Sequence, residues 1–262
     1  MRNRTLLLLS AMLGGTLGAQ TPATAPASPT LGEFRLSGSS TIGSQYVFRG
    51  LTQTDGKPTV QAELDLSHPA GFYANASFSN ISWITDQFPG GPASASVEVD
   101  LFGGYKWGFA RDWTLDVGLY RYLYPGTYTS LGSYHPNTTE GDLGLSYRWV
   151  SLKYSRVLSE ENFGVPDAKG SSYVDFSLGI PLGEEGWTVL VHGGKTTFNT
   201  GQPTTNHLLD YPDYKIGIAK EWNGYTAALA ATHADTKDLG YRNANGRNIG
   251  GRRVTLTFAK TF

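Results

Sequence analysis

The sequence predicts an all-β fold, an up-and-down antiparallel transmembrane β-barrel of twelve strands, with ten or fourteen as the alternatives and both termini periplasmic. Three observations predict it. Apolar and polar residues alternate with period two in segments of about ten residues. Short and long connections between those segments strictly alternate. Five of the six tryptophans lie beside the short connections.

Composition limits the function classes. The 262 residues carry 21 Lys+Arg against 22 Asp+Glu, a net charge of −1, so no basic excess points to nucleic acid. The absence of cysteine excludes disulfide scaffolds, thiolate metal sites and a Cys nucleophile. Gly (33 residues) and aromatics (13%) are abundant and charged residues (16%) are few. Beyond the N-terminus no apolar run approaches the ~18 to 20 residues of a spanning helix, so any membrane crossing is by strands.

From the N-terminus, Arg2 and Arg4 precede an apolar run from Leu6 to Leu13 and small residues from Gly14 to Ala19. This is the pattern of a secretory signal peptide over 1–19. Its removal leaves 19 basic against 22 acidic residues. Residues 20–32, rich in Thr, Pro and Ala, have nothing to bury and form a linker, which leaves 33–262 for the barrel.

The first strand is expected over Phe34 to Arg49. In the second, Val60, Ala62, Leu64 and Leu66 alternate with Gln61, Glu63, Asp65 and Ser67. The third, Phe72 to Trp83, changes parity at Ile81 and Trp83, which predicts a bulge near Ser79-Asn80. The fourth alternates Val97, Val99, Leu101, Gly103, Tyr105 and Trp107 against Glu98, Asp100, Phe102, Gly104 and Lys106. The remaining eight carry the same pattern, centred on Leu115, Leu145, Leu152, Phe176, Val189, Ile216, Ala227 and Leu256. No stretch keeps a helical period long enough to compete.

The connections separate a barrel from a soluble sandwich. His68–Gly71, Gly108–Asp112, the Trp149/Val150 junction, Pro181–Gly186 and Asn223-Gly224 are hairpin-short. Gly50–Lys57, Ile84–Ala95, Tyr124–Glu140, Ser159–Gly170, Lys195–Pro212 and Ala234–Gly251 are long and polar. Short periplasmic turns with long outer loops are the organisation of outer-membrane barrels.

Tyr105, Trp107, Trp113, Tyr147, Trp149, Trp187, Trp222 and Tyr225 gather at the short turns, where a periplasmic aromatic girdle would sit between hydrocarbon and headgroups. Tyr46, Phe48, Trp83, Tyr120, Tyr122 and Tyr173, near the long loops, are expected to form the opposite girdle. The C-terminal strand, with Val254, Leu256, Phe258 and the terminal Phe262, resembles the signal by which outer-membrane proteins are recognised for assembly, Phe258 and Phe262 carrying it; Lys260 departs from that pattern.

A second resemblance runs from Ser44 to Trp83, densest at Tyr46-Val47-Phe48-Arg49-Gly50, Gln53-Thr54, Pro58, Asp65, Gly71-Phe72-Tyr73 and Asn80 to Trp83. Glu98, Asp100, Gly103-Gly104-Tyr105 and Tyr124-Pro125-Gly126 extend it thinly toward the C-terminus. The segment is similar to the opening of the TorF family of porins, bacterial outer-membrane β-barrels first catalogued as hypothetical proteins. The resemblance implies a barrel with a pore and adds little about the solute.

By alternation, strands two to six place Glu63, Asp65, Glu98, Asp100, Asp116 and Asp142 on the lumen face as an acidic wall, with Lys106 and Arg148 near the short turns. The rest of the lumen face carries Arg35, Arg49, Lys153, Lys215 and Arg253 as a basic wall, with Asp175, His192, Asp213 and Glu221 interspersed. Walls of opposite sign set a transverse field that orients polar solutes. In a narrow barrel the same charges also stabilise as ion pairs. Arg49 has both options, a pore-selectivity residue or an ion pair with a loop carboxylate.

Catalytic constellations are weak. None of His68, His135, His192, His207 and His233 has a convincing partner in sequence. His233 faces lipid near the outer leaflet, and Thr255 or Thr257 beside it is a poor nucleophile. No ligand spacing for a metal recurs and no cofactor motif is present. The expected function is passive diffusion of small hydrophilic solutes through an outer-membrane channel, with a closed structural or adhesion barrel and an outer-membrane lipid-modifying enzyme as rivals. Expected partners are outer-membrane lipids and lipopolysaccharide, the barrel-assembly machinery and the solutes themselves.

Overall fold

The computed structural model describes residues 10–11, 16–17, 30–128, 131 and 134–262. The signal peptide and linker expected over 1–32 lie outside the described residues, apart from 10–11, 16–17 and 30–32. Twelve strands build the wall: β1 Phe34–Gly43, β2 Thr59–Ser67, β3 Phe72–Asn80, β4 Val97–Phe109, β5 Trp113–Leu123 and β6 Thr138–Tyr147. They continue as β7 Val150–Val157, β8 Ser172–Leu182, β9 Trp187–Thr197, β10 Tyr211–Trp222, β11 Tyr225–Ala234 and β12 Gly251–Thr261. Each pairs antiparallel with the next, and β12 returns to β1 from Thr257↔Gly43 to Thr261↔Ser39, so the sheet is a closed up-and-down barrel.

The barrel is polar inside and apolar outside. On β2, Val60 is 64% exposed while its neighbour Gln61 is 8% exposed, and that alternation repeats around the wall. Leu64, Leu101, Leu119, Ile216, Val254 and Leu256 point out, whereas Ser39, Glu63, Asn75, Ser77, Asp100 and Ser177 are buried. A water-soluble sandwich buries the first set, so the outer face is built for hydrocarbon. Among the described residues no helix is long and apolar enough to cross a membrane.

The short connections form tight turns. Asn223 and Gly224 take φ of 49° and 76°, the left-handed pair that a two-residue hairpin needs. The long connections contain short helices at Trp83–Gln87, Pro203–Leu209 and Asp238–Tyr241.

Three local expectations are corrected. The first strand stops at Gly43 rather than Arg49: Ser44 takes over the ladder, donating its N–H to Leu256 O at 2.9 Å and accepting Leu256 N–H at 3.0 Å, and the chain then turns inward. Val47–Phe48 pairs with Leu51–Thr52 in a small hairpin inside the barrel, with Arg49 and Gly50 at its tip. No bulge forms at Ser79-Asn80, because β3 keeps parity to Asn80 and then leaves the wall, so Ile81 and Ile84 are buried among the loops. The outer girdle does not form either. Tyr46, Tyr122 and Tyr173 are buried, and Tyr46, Phe48, Trp83, Tyr120 and Tyr122 belong to one aromatic core, because packing against each other removes more apolar surface from water than the rim does.

Candidate functional site in the barrel interior

Antiparallel register places lumen residues in rows that run across the strands. One row joins Lys106, Asp116, Gly144, Lys153, Asp175, Gly194 and Asp213 as successive cross-strand partners from β4 to β10. Because barrel strands tilt, such a row climbs from the short-turn end toward the loops. Charges of both signs therefore interleave along it. Lys106 Nζ lies 4.0 Å from Asp116 Oδ2, and Lys153 Nζ lies 3.9 Å from Asp142 Oδ2.

The inward hairpin crosses the lumen above this row. Arg49 Nη1 and Nη2 donate to Glu140 Oε1 and Oε2 on β6 at 2.9 and 2.6 Å. The guanidinium also stands over the rings of Phe48 (4.9 Å) and Tyr173 (4.2 Å). Tyr46 Oη donates to Glu98 Oε1 at 2.9 Å. Loops clamp the hairpin from outside: Thr52 N–H donates to Ile249 O at 2.8 Å, and Gln53 O accepts the N–H groups of Ser82 and Trp83 at 2.8 and 3.0 Å. The 235–250 connection is itself fixed at Asp238, whose carboxyl is held below the ordinary range by hydrogen bonds from Asn248 and Arg242.

A second cluster surrounds His192 on β9. Asp175 Oδ2 lies 3.1 Å from Nδ1 and Asp213 Oδ1 lies 2.8 Å from Nε2. An ionised carboxylate only accepts, so this geometry fits a ring that donates from both nitrogens. Ser177 Oγ donates to Asp175 Oδ1 at 2.7 Å, and Tyr173 Oη donates to Asp213 Oδ2 at 3.0 Å. Although Ser177, His192 and Asp213 are the residue types of a hydrolytic relay, the Ser177 proton is engaged by Asp175, and Ser177 is buried. His192 thus has two carboxylate partners, where the sequence suggested none. Lys215, its cross-strand neighbour, is placed in the same cluster.

A cavity of about 260 Å³ lies beneath the hairpin tip. Asp116, Asp142, Arg49, Lys153 and Lys215 line it, as do Asp175, His192 and Asp213. Next to Lys215, which pairs with Thr232, the lining on β11 and β12 is small and neutral: Ala228, Ala230, Thr232, Thr255 and Thr257. Glu63, Asp65, Glu98 and Asp100 do face inward but lie away from this cavity. Asn75 Nδ2 bridges Glu63 and Asp65 at 2.6 and 2.7 Å, and Glu98 and Asp100 are buried. Arg35 is exposed on the inner face near the short turns, and Arg253 Nη2 donates to Asn248 O at 2.7 Å.

Sequence reasoning missed Glu140, taken as the last loop residue although it shares parity with Asp142 on β6. The signal that could have found the His192 cluster is register: Asp175 and Asp213 each stand two residues from a direct neighbour of His192. His233 and the threonines Thr255 and Thr257 face opposite sides of the wall, so they do not meet. Among the described residues no group of three or more His, Asp or Glu is arranged to hold a metal.

Tyr105, Trp107, Trp113, Tyr147, Trp187, Trp222 and Tyr225 take outward positions at the short-turn end, and Trp149 is exposed in the turn between β6 and β7. Phe258 packs against Trp222 and Tyr225 at 5.9 and 5.6 Å between ring centroids. Phe262 exchanges both backbone hydrogen bonds with Gly38, each 3.0 Å.

The model of a family described as "Bacterial protein of unknown function (Gcw_chp)" matches residues 24–262. No curated protein matches the chain. Among solved structures, the KdgM porin is similar at 8% identity, covering 86% of this chain and 99% of that one with a TM-score of 0.53. The NanC porin is similar at 12% identity, covering 87% and 98%, with a TM-score of 0.51. KdgM is also solved in complex with disordered oligogalacturonate. At these identities the likeness establishes the barrel fold.

Proposed function

The chain belongs to the Gcw_chp family of bacterial proteins, and we propose that its barrel spans the outer membrane as a porin-like channel for passive diffusion of small hydrophilic solutes. One observation carries the proposal: a closed wall with an apolar outside encloses a cavity into which carboxylates, ammonium groups and hydroxyls project among aromatic and aliphatic side chains. Such a wall has no use in water, and a lumen that had only to stabilise the sheet would be filled with side chains. The porin likeness of the fold and the resemblance of Ser44–Trp83 to TorF porins support the same reading.

In this account a signal peptide over 1–19 delivers the chain, both termini and the short turns are periplasmic, and the aromatic rim sits in the inner leaflet interface. The path is narrowest at Arg49. Solutes pass along the small-residue side formed by β11 and β12, beside Lys215 and facing Asp116, Asp142 and Lys153, whose charges of both signs favour polar solutes of either sign. A closed structural barrel is the second reading, and the Arg49–Glu140 contact across the lumen favours it. Vesicle swelling separates the two: vesicles containing the refolded protein are expected to swell in isotonic glucose or arabinose, and protein-containing vesicles that stay as tight as bare lipid support the closed barrel.

A further inference from the structure

The two rims of the barrel's outer face differ in chemistry. The short-turn rim is aromatic. Its two outward lysines are satisfied there: Lys220 and Lys260 lie over the rings of Trp187 and Tyr225 at 5.0 and 4.0 Å and donate to the carbonyls of Glu185 and Asn223. The long-loop rim lacks the expected girdle, since those aromatics turn inward. In its place, Arg121 (β5), Arg156 (β7), Lys195 (β9) and Arg252 (β12) share the outward parity of Leu119, Tyr154, Val191 and Val254. Every Asp and Glu of the twelve strands stands on the inner face instead.

Three of these four cations have no partner. Arg121 Nη1 donates to Thr139 Oγ1 at 2.5 Å, whereas the head groups of Arg156, Lys195 and Arg252 make no hydrogen bond or ion pair among the described residues. Of the loop acids, Glu160 is engaged by Lys169 and Asp238 by Arg242 and Asn248. A cation at the edge of the hydrocarbon that makes no ion pair with the protein is completed by an anion from the membrane. Arginine suits phosphate oxygens in particular, because its planar fork donates to two of them at once.

We propose that the long-loop rim is a docking surface for the phosphate groups of an anionic membrane lipid, the phosphorylated glycolipid of the outer leaflet, held by Arg156, Lys195 and Arg252. On that side the cations stand among the outward rings of Phe78, Tyr154 and Tyr214 rather than the inward-turned aromatics of the core. This surface rests on the barrel spanning a membrane and not on its lumen conducting.

The test is native mass spectrometry of the refolded full chain in detergent, offered bisphosphorylated lipid A or the same lipid A stripped of its phosphates. The phosphorylated lipid is expected to bind at least about ten-fold more tightly. Arg156→Gln/Lys195→Gln/Arg252→Gln is expected to abolish that preference, and Lys220→Gln/Lys260→Gln to keep it. Equal binding of the two lipids, a preference that survives the triple substitution, or one lost with the short-turn lysines overturns the proposal. Should the triple variant not fold, each single substitution is expected to weaken the phosphorylated lipid about five-fold, and three unchanged affinities contradict the surface. A conducting protein without the preference contradicts this surface alone, and a non-conducting protein with it contradicts the channel alone.

Discussion

Arg49 and Glu140 close a bidentate ion pair across the lumen, joining the tip of a loop hairpin to the opposite wall at 2.9 and 2.6 Å. Both side chains are buried, at 9% and 1% exposure, and the arginine has φ of 46°. With Gly50 at 75° it forms the left-handed pair that the two-residue tip of this hairpin needs, and the turn so made presents the guanidinium to β6.

Removing one partner strands the other. Glu140→Gln or Arg49→Ala alone is expected to destabilise the barrel by about 3 to 5 kcal/mol, measured by urea unfolding in vesicles. The double variant Arg49→Gln/Glu140→Gln is expected to recover most of that stability and to show a larger single-channel conductance, because the hairpin tip is no longer fixed across the path. A double variant with unchanged conductance shows that the hairpin does not set the constriction.

His192 acts on the same side of the cavity as a clamp between two strands. His192→Ala leaves Asp175 and Asp213 facing one another, and the expected loss is again about 3 to 5 kcal/mol. Asp175→Asn/His192→Asn/Asp213→Asn, which removes the charges together, is expected to be the milder change in the same urea experiment. Greater damage from the triple variant shows that the hydrogen-bond network, not charge compensation, governs this cluster.

The C-terminus is fixed by backbone pairing of Phe262 with Gly38, and a Cβ at Gly38 would approach the Phe262 ring to 2.8 Å. Deleting Phe262, or Gly38→Val, is expected to lower the amount of heat-modifiable barrel in outer-membrane fractions several-fold. Unchanged abundance of the truncated chain removes Phe262 from assembly.

Most of the wall is legible in the sequence, because alternation with period two is enforced by the membrane outside and water inside at once. Glu63, Asp116 and Lys153 follow from parity alone, as do the rim aromatics other than Trp149, which stands in a turn. The inward segments were not legible. Tyr46 and Phe48 alternate as a strand does, yet they continue into a hairpin whose faces are both buried, so parity no longer distinguishes lipid from lumen. The His192 cluster lay beyond reach for a different reason, since it depends on register between β8, β9 and β10, which alternation leaves free by steps of two.

Topology follows from the loops. A short epitope inserted at exposed Gly201 is expected to be bound by antibody on intact cells, and one inserted at Asn223-Gly224 only after permeabilisation. The reverse pattern places the long connections in the periplasm and inverts the barrel.

Single-channel recording of the refolded protein in a planar bilayer tests the central claim most directly. The account predicts stepwise conductance that scales with salt concentration, with a reversal potential in a salt gradient that moves toward anion selectivity on Asp116→Asn/Asp142→Asn, because those carboxylates line the cavity. Heat-modifiable, correctly inserted protein that gives no conductance steps contradicts the channel and leaves a closed barrel.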